Sequence, residues 1–147
     1  MSWSPHVVVA CVVERDGRFL IVEEHVNGEL RLNQPAGHWE QHETLIEAAR
    51  REALEETRWE VEPWAVLGLY HHDPPGLGYG FLRVAFVAHA LRERPELPLD
   101  TGIVRARWMS RDEVVAAAAL HRSPMVLRCI DDYLTGRRYP LDLIAHL

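Results

Sequence analysis

The sequence predicts an α/β fold of the mixed, α+β kind, with helices packed on a sheet that contains several antiparallel hairpins. Three observations predict it. Residues 7–14 (VVVACVVE) and 19–24 (FLIVEE) are apolar, largely β-branched runs joined through Arg15-Asp16-Gly17-Arg18. Asp-Gly between two such runs is a strong hairpin signal. Thr44 and Ser110 each stand three residues before a glutamate, Glu47 and Glu113, in the capping-box pattern that opens a helix. Helices before, between and after strands then give layered packing on one sheet. With 147 residues, the chain reads as one domain, 1–147, large enough to bury a core.

Along the chain, the first run is apolar on both faces and belongs inside a sheet covered on both sides. Asn27-Gly28 marks a second turn, before a short strand at Leu30–Leu32. Asn33-Gln34-Pro35-Ala36-Gly37 reads as an irregular loop whose backbone approaches something closely. Beyond Thr44, Ile46, Ala49 and Ala53 fall on one side of a helical wheel. Trp64–His72 and Tyr79–Ala90 read as antiparallel strands around the loop Asp73-Pro74-Pro75-Gly76-Leu77-Gly78. The Gly76/Gly78/Gly80 spacing superficially suggests a phosphate loop, but no strand-to-helix context follows, and a hairpin loop is the better reading. Leu91–Thr101 carries Pro95 and Pro98 and reads as a surface loop, followed by a strand at Ile103–Met109. Ser110 opens a short helix through Leu120; Ser123-Pro124 starts a third, with Ser as cap, and Gly136 stops it.

Composition excludes several functions. A net charge of −6 with no basic run argues against a nucleic-acid polymer as partner. Two cysteines, Cys11 and Cys129, in apolar segments fit a reducing, cytoplasmic setting. MSWSPH lacks the marks of a signal peptide, and no apolar run is long enough to span a membrane. The nine histidines form no zinc-binding pattern: His38 and His42 precede the helix cap, and His71 and His72 point to opposite sides of a strand. Ser2, Ser4, Ser110 and Ser123 lack a nucleophile-elbow context.

The helix after Thr44 carries the chemistry. Glu52, Glu55 and Glu56 cluster beside its apolar stripe, because i, i+3 and i+4 are helical neighbours. Their mutual repulsion costs a few tenths of a kcal/mol, roughly, per exposed pair. A cation removes that cost, and oxygen donors without His or Cys suit Mg²⁺ or Mn²⁺. The plainer alternative is a solvated face neutralised by Arg50 and Arg51.

The full spacing tips the balance. Gly37, five residues, Glu43, seven residues, then Arg51-Glu52-Ala53-Leu54-Glu55-Glu56-Thr57-Arg58-Trp59 closely resembles the Nudix box. Every charged position is met. Arg58 departs from the final glycine of the box, Ala53 is small for its aliphatic slot, and Trp59 is large for the last. Either Arg58 turns left-handed or the helix runs on; Trp59 and the strand-like Val61 favour the left-handed exit. The Asn33–Gly37 lead-in, the Trp108 strand and the helix ending Gly136-Arg137-Arg138-Tyr139-Pro140-Leu141 resemble one subgroup, the NudJ-type phosphatases.

The resemblance implies an α/β/α sandwich with a mixed sheet. It also implies Mg²⁺-dependent hydrolysis of a phosphoanhydride in nucleoside di- or triphosphates, thiamin diphosphate or hydroxymethylpyrimidine diphosphate. On that pattern Glu52 and Glu56 are the main metal ligands, Glu55 a further one, and Ala36 or Gly37 supplies a carbonyl. Glu52 and Glu55 form the candidate catalytic set with Arg51, which pairs with Glu43 to hold the loop. Asp100 is a candidate distal base, with Glu96 nearby. Asn33, Gln34, Trp39 and Tyr70 are candidate substrate contacts; Trp39, Tyr70 and Tyr79 can stack on a ring, and each is as readily a core residue. The partner is then a small nucleotide or diphosphate, and the protein a monomer or homodimer. Alternatives are an ADP-ribose or nucleotide-sugar pyrophosphatase, a hydrolase of oxidised nucleotides, or a metal-free domain that only binds.

Overall fold

β1 (Ser4–Arg15) is the strand on which both layers of the molecule are built. The computed structural model describes residues 3–147, so Met1 and Ser2 of the N-terminal stretch read above lie outside the described residues. β1 turns through Asp16-Gly17, both with positive φ as a two-residue hairpin of this kind requires, into β2 (Arg18–Val26). Asn27-Gly28 repeats the device and leads to β3 (Glu29–Asn33). β4 (Ala36–His38) follows, then α1 (Leu45–Thr57), β5 (Trp59–His72), β6 (Tyr79–Glu93), β7 (Ile103–Ser110), α2 (Arg111–Ala116) and α3 (Met125–Leu134).

The sheet is mixed. β1 runs parallel to β6 and antiparallel to β4, and β5 pairs antiparallel with β6 on the far side. β2 is flanked by β3 and β7, both antiparallel. Side chains alternate along each strand, so one strand feeds two cores. Val9, Cys11 and Val13 of β1, with Leu20, Val84 and Phe86, pack against Ala48, Ala49 and Ala53 of α1. Val12, Phe19, Ile21, Ala85 and Val87 face the other way, onto Val114 of α2 and Val126, Cys129 and Ile130 of α3. The result is the α/β/α sandwich, and the doubly apolar first run is its central strand.

The structure differs from the sequence reading at several boundaries. Residues 36–38 are not loop but a short strand, held to β1 in register Val8↔His38 and Ala10↔Ala36. β5 begins at Trp59, five residues earlier than its apolar pattern, because Pro63 is absorbed into register shifts against β6. A proline has no ladder N–H, and a bulge accommodates it. β6 runs on to Glu93, into the stretch read as loop. α2 stops at Ala116, before a 3-10 turn at Ala118–Leu120, and the His121 ring bonds back to the Val114 carbonyl at 2.8 Å. α3 opens at Met125, one residue later than the sequence implies, with Pro124 and not Ser123 at the cap position, though Ser123 Oγ accepts the Met125 N–H at 3.2 Å. It closes on Gly136, whose N–H reaches Tyr133 while that of Arg137 reaches Asp132.

α1 ends as the departure from glycine implies. Arg58 sits at φ 63°, left-handed, with its N–H on the Leu54 carbonyl at 2.9 Å. Its buried Nε has no hydrogen-bond partner among the described residues. Such a conformation costs a side-chain-bearing residue about 1–2 kcal/mol. Arg58→Gly is therefore expected to stabilise the protein by about 1 kcal/mol. A chemical-denaturation midpoint checks it, and a lower midpoint in the variant contradicts the strained exit.

Candidate functional site

The capping box forms in full: Glu47 N–H donates to Thr44 Oγ1 at 3.0 Å, and Thr44 N–H to the Glu47 carboxylate at 2.9 Å. This fixes where α1 starts and therefore which way each later residue points. With the alanines turned to the sheet, Glu52 and Glu56 lie one turn apart on a flank that is almost closed to solvent, 9% and 8% exposed. They face β4. Glu56 Oε1 accepts the Ala36 N–H at 2.8 Å. A Cβ on Gly37 would lie 2.1 Å from the Glu52 carboxyl carbon, so only glycine lets the strand come this close. Glu55 is more exposed and lies on the outer side of the same flank.

Arg51 ties the loop to the helix. Its Nε and Nη2 hold Glu43 in a bidentate pair at 3.0 and 2.8 Å, and Nη2 also donates to the His38 carbonyl at 3.1 Å. Nη1 reaches Glu52 at 2.9 Å and Glu55 at 3.3 Å, with Glu40 at 3.6 Å. The pairing of Arg51 with Glu43 that the resemblance implies is present. One guanidinium thus serves Glu40, Glu43, Glu52 and Glu55, and the cluster stays net negative.

Asp100 belongs to that cluster. Its N–H donates to the Glu55 carbonyl at 3.0 Å, and Arg94 N–H to that of Arg58 at 2.7 Å, folding the 94–103 loop onto the exit of α1. Glu96, the other acid considered, is drawn into a pair with Arg94 at 2.7 Å.

Charge is costly here. Burial pushes Glu56 up to about 9; the Ala36 N–H opposes this, and Glu52, Glu24 and Asp100 add repulsion. Burial also lifts Glu52 to about 7, with Arg51 opposing and Glu55 and Asp100 adding to it. Glu55 is raised too, again chiefly by burial. Glu43 moves the other way, held low by its hydrogen bonds from Arg51. Among the described residues no three His, Cys, Asp or Glu side chains converge as a ready-made metal shell. Glu52 turns to Arg51 and Glu56 to Ala36. The donor chemistry still fits a hard divalent cation: oxygen only, buried, and mutually repelling.

On the other side of β4 lies a pocket of about 450 Å³. Ala36, Gly37 and His38 form its edge, Tyr79, Phe81 and Met125 are among its walls, and Asn33 and Arg83 also line it. Tyr79 stacks on the His6 ring with centroids 4.1 Å apart. Of the expected substrate contacts, Asn33 lines this pocket and three others do not. Gln34 is buried, donating to the Val126 carbonyl at 2.7 Å and accepting from Arg83 at 2.8 Å. Tyr70 is a core residue whose hydroxyl is committed to Asp132 at 2.8 Å. Trp39 lies in the box loop, its indole N–H held by the Glu43 carbonyl at 2.9 Å. Sequence reasoning missed Arg83. The signal was there: a lone charge within the apolar run Phe81–Ala90, on a strand covered on both faces.

The chain is similar to known proteins in both sequence and fold. A family model described as the NUDIX domain matches residues 4–129. Phosphatase NudJ of Escherichia coli (strain K12) is 44% identical over 143 residues, 97% of this chain and 92% of its own length. A NUDIX hydrolase from Nitrosomonas europaea superposes with a TM-score of 0.96 at 46% identity, covering 98% of each chain. A MutT NUDIX hydrolase from Burkholderia pseudomallei, at 20% identity and TM-score 0.72 over 88% of this chain and 98% of its own, shares the fold.

The raised carboxylates have a consequence for the metal-free protein. An acid whose pKa is higher folded than unfolded binds more protons in the native state, so stability declines as pH rises between the two values. For Glu52 and Glu56 that window runs from the ordinary carboxylate value of 4.5 to about 7 and about 9. In EDTA the melting midpoint should therefore fall from pH 6 to pH 9, and Glu56→Gln should flatten the decline. Calorimetry across that range checks it; an equal slope in the variant contradicts the assignment.

Proposed function

The chain belongs to the NUDIX family as a hydrolase related to phosphatase NudJ, and from that premise we propose that it cleaves phosphoanhydride bonds of nucleoside di- and triphosphates with Mg²⁺. Mn²⁺ is the natural substitute. Thiamin diphosphate and hydroxymethylpyrimidine diphosphate belong to the same proposed class, and the chain acts as one domain in the cytoplasm. The observation that carries the reading is the pair Glu52 and Glu56, buried against β4 without enough positive charge to balance them. A protein that only binds a nucleotide gains nothing from such a pair, and its substrate, itself densely anionic, would be repelled.

Glu52, Glu55 and Glu56 would hold the ion, with a carbonyl of Ala36 or Gly37. Bound there, a divalent cation neutralises phosphate charge and makes a water more acidic. The chain's own residues do the remainder. Arg51 locks Glu43, the His38 carbonyl and the acids into one unit, so the site is shaped before substrate arrives. Glu52 orients the attacking water, and Asp100, at the open end of the cluster, accepts its proton as the phosphorus–oxygen bond breaks. The pocket beyond β4 receives the rest of the substrate. Nucleotide-sugar or ADP-ribose cleavage, and removal of oxidised nucleotides, are the competing specificities; product identification in a phosphate-release screen separates them.

Two outcomes are expected. Glu56→Gln should lose nearly all turnover, on the order of a hundredfold or more, while keeping its circular dichroism, since it removes a charge and hardly changes shape. Full turnover at saturating Mg²⁺ would sink the assignment. Mg²⁺ in excess over EDTA should raise the melting midpoint through native-state binding. That gain should vanish when Glu52 and Glu56 are both changed to Gln.

A further inference from the structure

Arg83 is 2% exposed, in the middle of β6, and it lines the pocket beyond β4. Across the sheet it registers with Val8, which registers in turn with His38. Two strand spacings, roughly 10 Å, therefore separate it from the β4 edge. Its hydrogen-bond partners are neutral: Nη1 donates to Gln34 Oε1 at 2.8 Å and lies 3.7 Å from Cys129 Sγ, and Nη2 donates to Asn33 Oδ1 at 2.9 Å. Cys129 is no hidden anion, because burial holds its thiol protonated. Nε finds no acceptor among the described residues. Among the described residues the other charged side chains buried as whole residues, Glu23, Glu52, Glu56 and Asp132, each have a partner of opposite sign or a backbone N–H; Arg83 has neither.

A guanidinium carries five N–H donors in one plane, two of them on each Nη. Asn33 takes one N–H of Nη2, which leaves the second for a ligand in the pocket that Arg83 lines. With its oxygen engaged by Arg83, Asn33 keeps both amide N–H donors without a partner among the described residues. Arg83 and Asn33 thus present donors beside the flat or apolar Tyr79, Phe81 and Met125; the charges of Glu24 and Arg122, which also line the pocket, are spent on each other at 2.9 Å. Burying a charged donor without full pairing is costly, and a ligand that completes it recovers part of that cost. A phosphate fits poorly between aromatic walls; a planar ring with acceptors on its rim fits well.

We infer that Arg83, supported by Asn33, is the specificity-determining residue that reads the acceptor edge of a heteroaromatic ring held in this pocket. The inference deepens the proposed function by naming the substrate's distal group, and rests on that reading for the identity of the site. Substrates would be phosphoanhydrides bearing a ring with carbonyl oxygens or unprotonated ring nitrogens.

Equilibrium binding tests it without turnover. The probes are adenosine, guanosine, cytidine and uridine 5′-monophosphates, the C-phenyl riboside 5′-monophosphate, which keeps a flat ring and has no acceptor, and inorganic phosphate. The wild-type protein should bind at least one natural nucleotide about tenfold or more tighter than the phenyl analogue, the size of a charge-assisted hydrogen bond. Arg83→Met should shrink that preference to within about threefold, mainly by weakening the natural nucleotide. Arg83→Lys, which keeps the charge and loses the planar fork, should also lose most of it. Equal wild-type affinity for the phenyl analogue, or no binding by any nucleotide, overturns the inference whether or not a variant folds. So does a preference that survives in a folded variant. Inorganic phosphate binding as tightly as the nucleotides, and weakened by Arg83→Lys, would assign the guanidinium to the phosphate chain and overturn it too. A protein with the base preference but no phosphoanhydride hydrolysis would refute the proposed function and leave this inference standing.

Discussion

The close approach of β4 to α1 is the constraint on which the site depends. The Ala36 N–H bonds to Glu56, and the missing side chain of Gly37 makes room for Glu52. If the strand stood one side-chain width away, both carboxylates would be hydrated and ordinary. Brought together, they are desolvated against a backbone edge, and they acquire a need for positive charge that Arg51 meets only in part. The Arg51–Glu43 pair keeps the loop from relaxing away from this arrangement. Burying charge without full pairing costs stability locally, and the two cores on either face of β1 offset it.

β4 also divides the labour of the site. The acids lie on the α1 side of the sheet, with Val9, Cys11 and Val13, whereas the pocket opens on the side of Val8 and Phe81. Ala36 and Gly37 belong to both. A substrate lying across this short strand can place its phosphates by the acids and its remainder in the pocket. On the proposed reading, chemistry and selectivity would reside on different faces and could change independently.

Local signals made much of this legible in the sequence. The two capping boxes, the Asp-Gly and Asn-Gly turns and the Gly136 stop each depend on a few adjacent residues, and all appear in the structure. The acidic flank was readable because helical periodicity is local too. Contacts between distant segments were not readable. Tyr70 looked like a ring free to stack until α3 brought Asp132 to its hydroxyl, and Gln34 until the Val126 carbonyl met its amide. β4 was missed because three residues carry no period, and only their partner strand makes them a strand. Arg83 was overlooked for a related reason: a charge in an apolar strand becomes informative once its neighbours are known to be neutral.

The bulges of β5 bear on how copies of the molecule meet. β5 is an edge strand of 14 residues, a length that would ordinarily invite a second chain to add itself to the sheet. Register shifts at three places, one around Pro63, break its outer row of donors and acceptors. At Val66 that row is already occupied by the C-terminal segment, through paired 2.8 Å hydrogen bonds with Tyr139. The proline that obscured the start of the strand in the sequence thus also helps keep its edge from templating aggregation. A neighbour seeking to extend the sheet there would first have to peel the chain's own tail away.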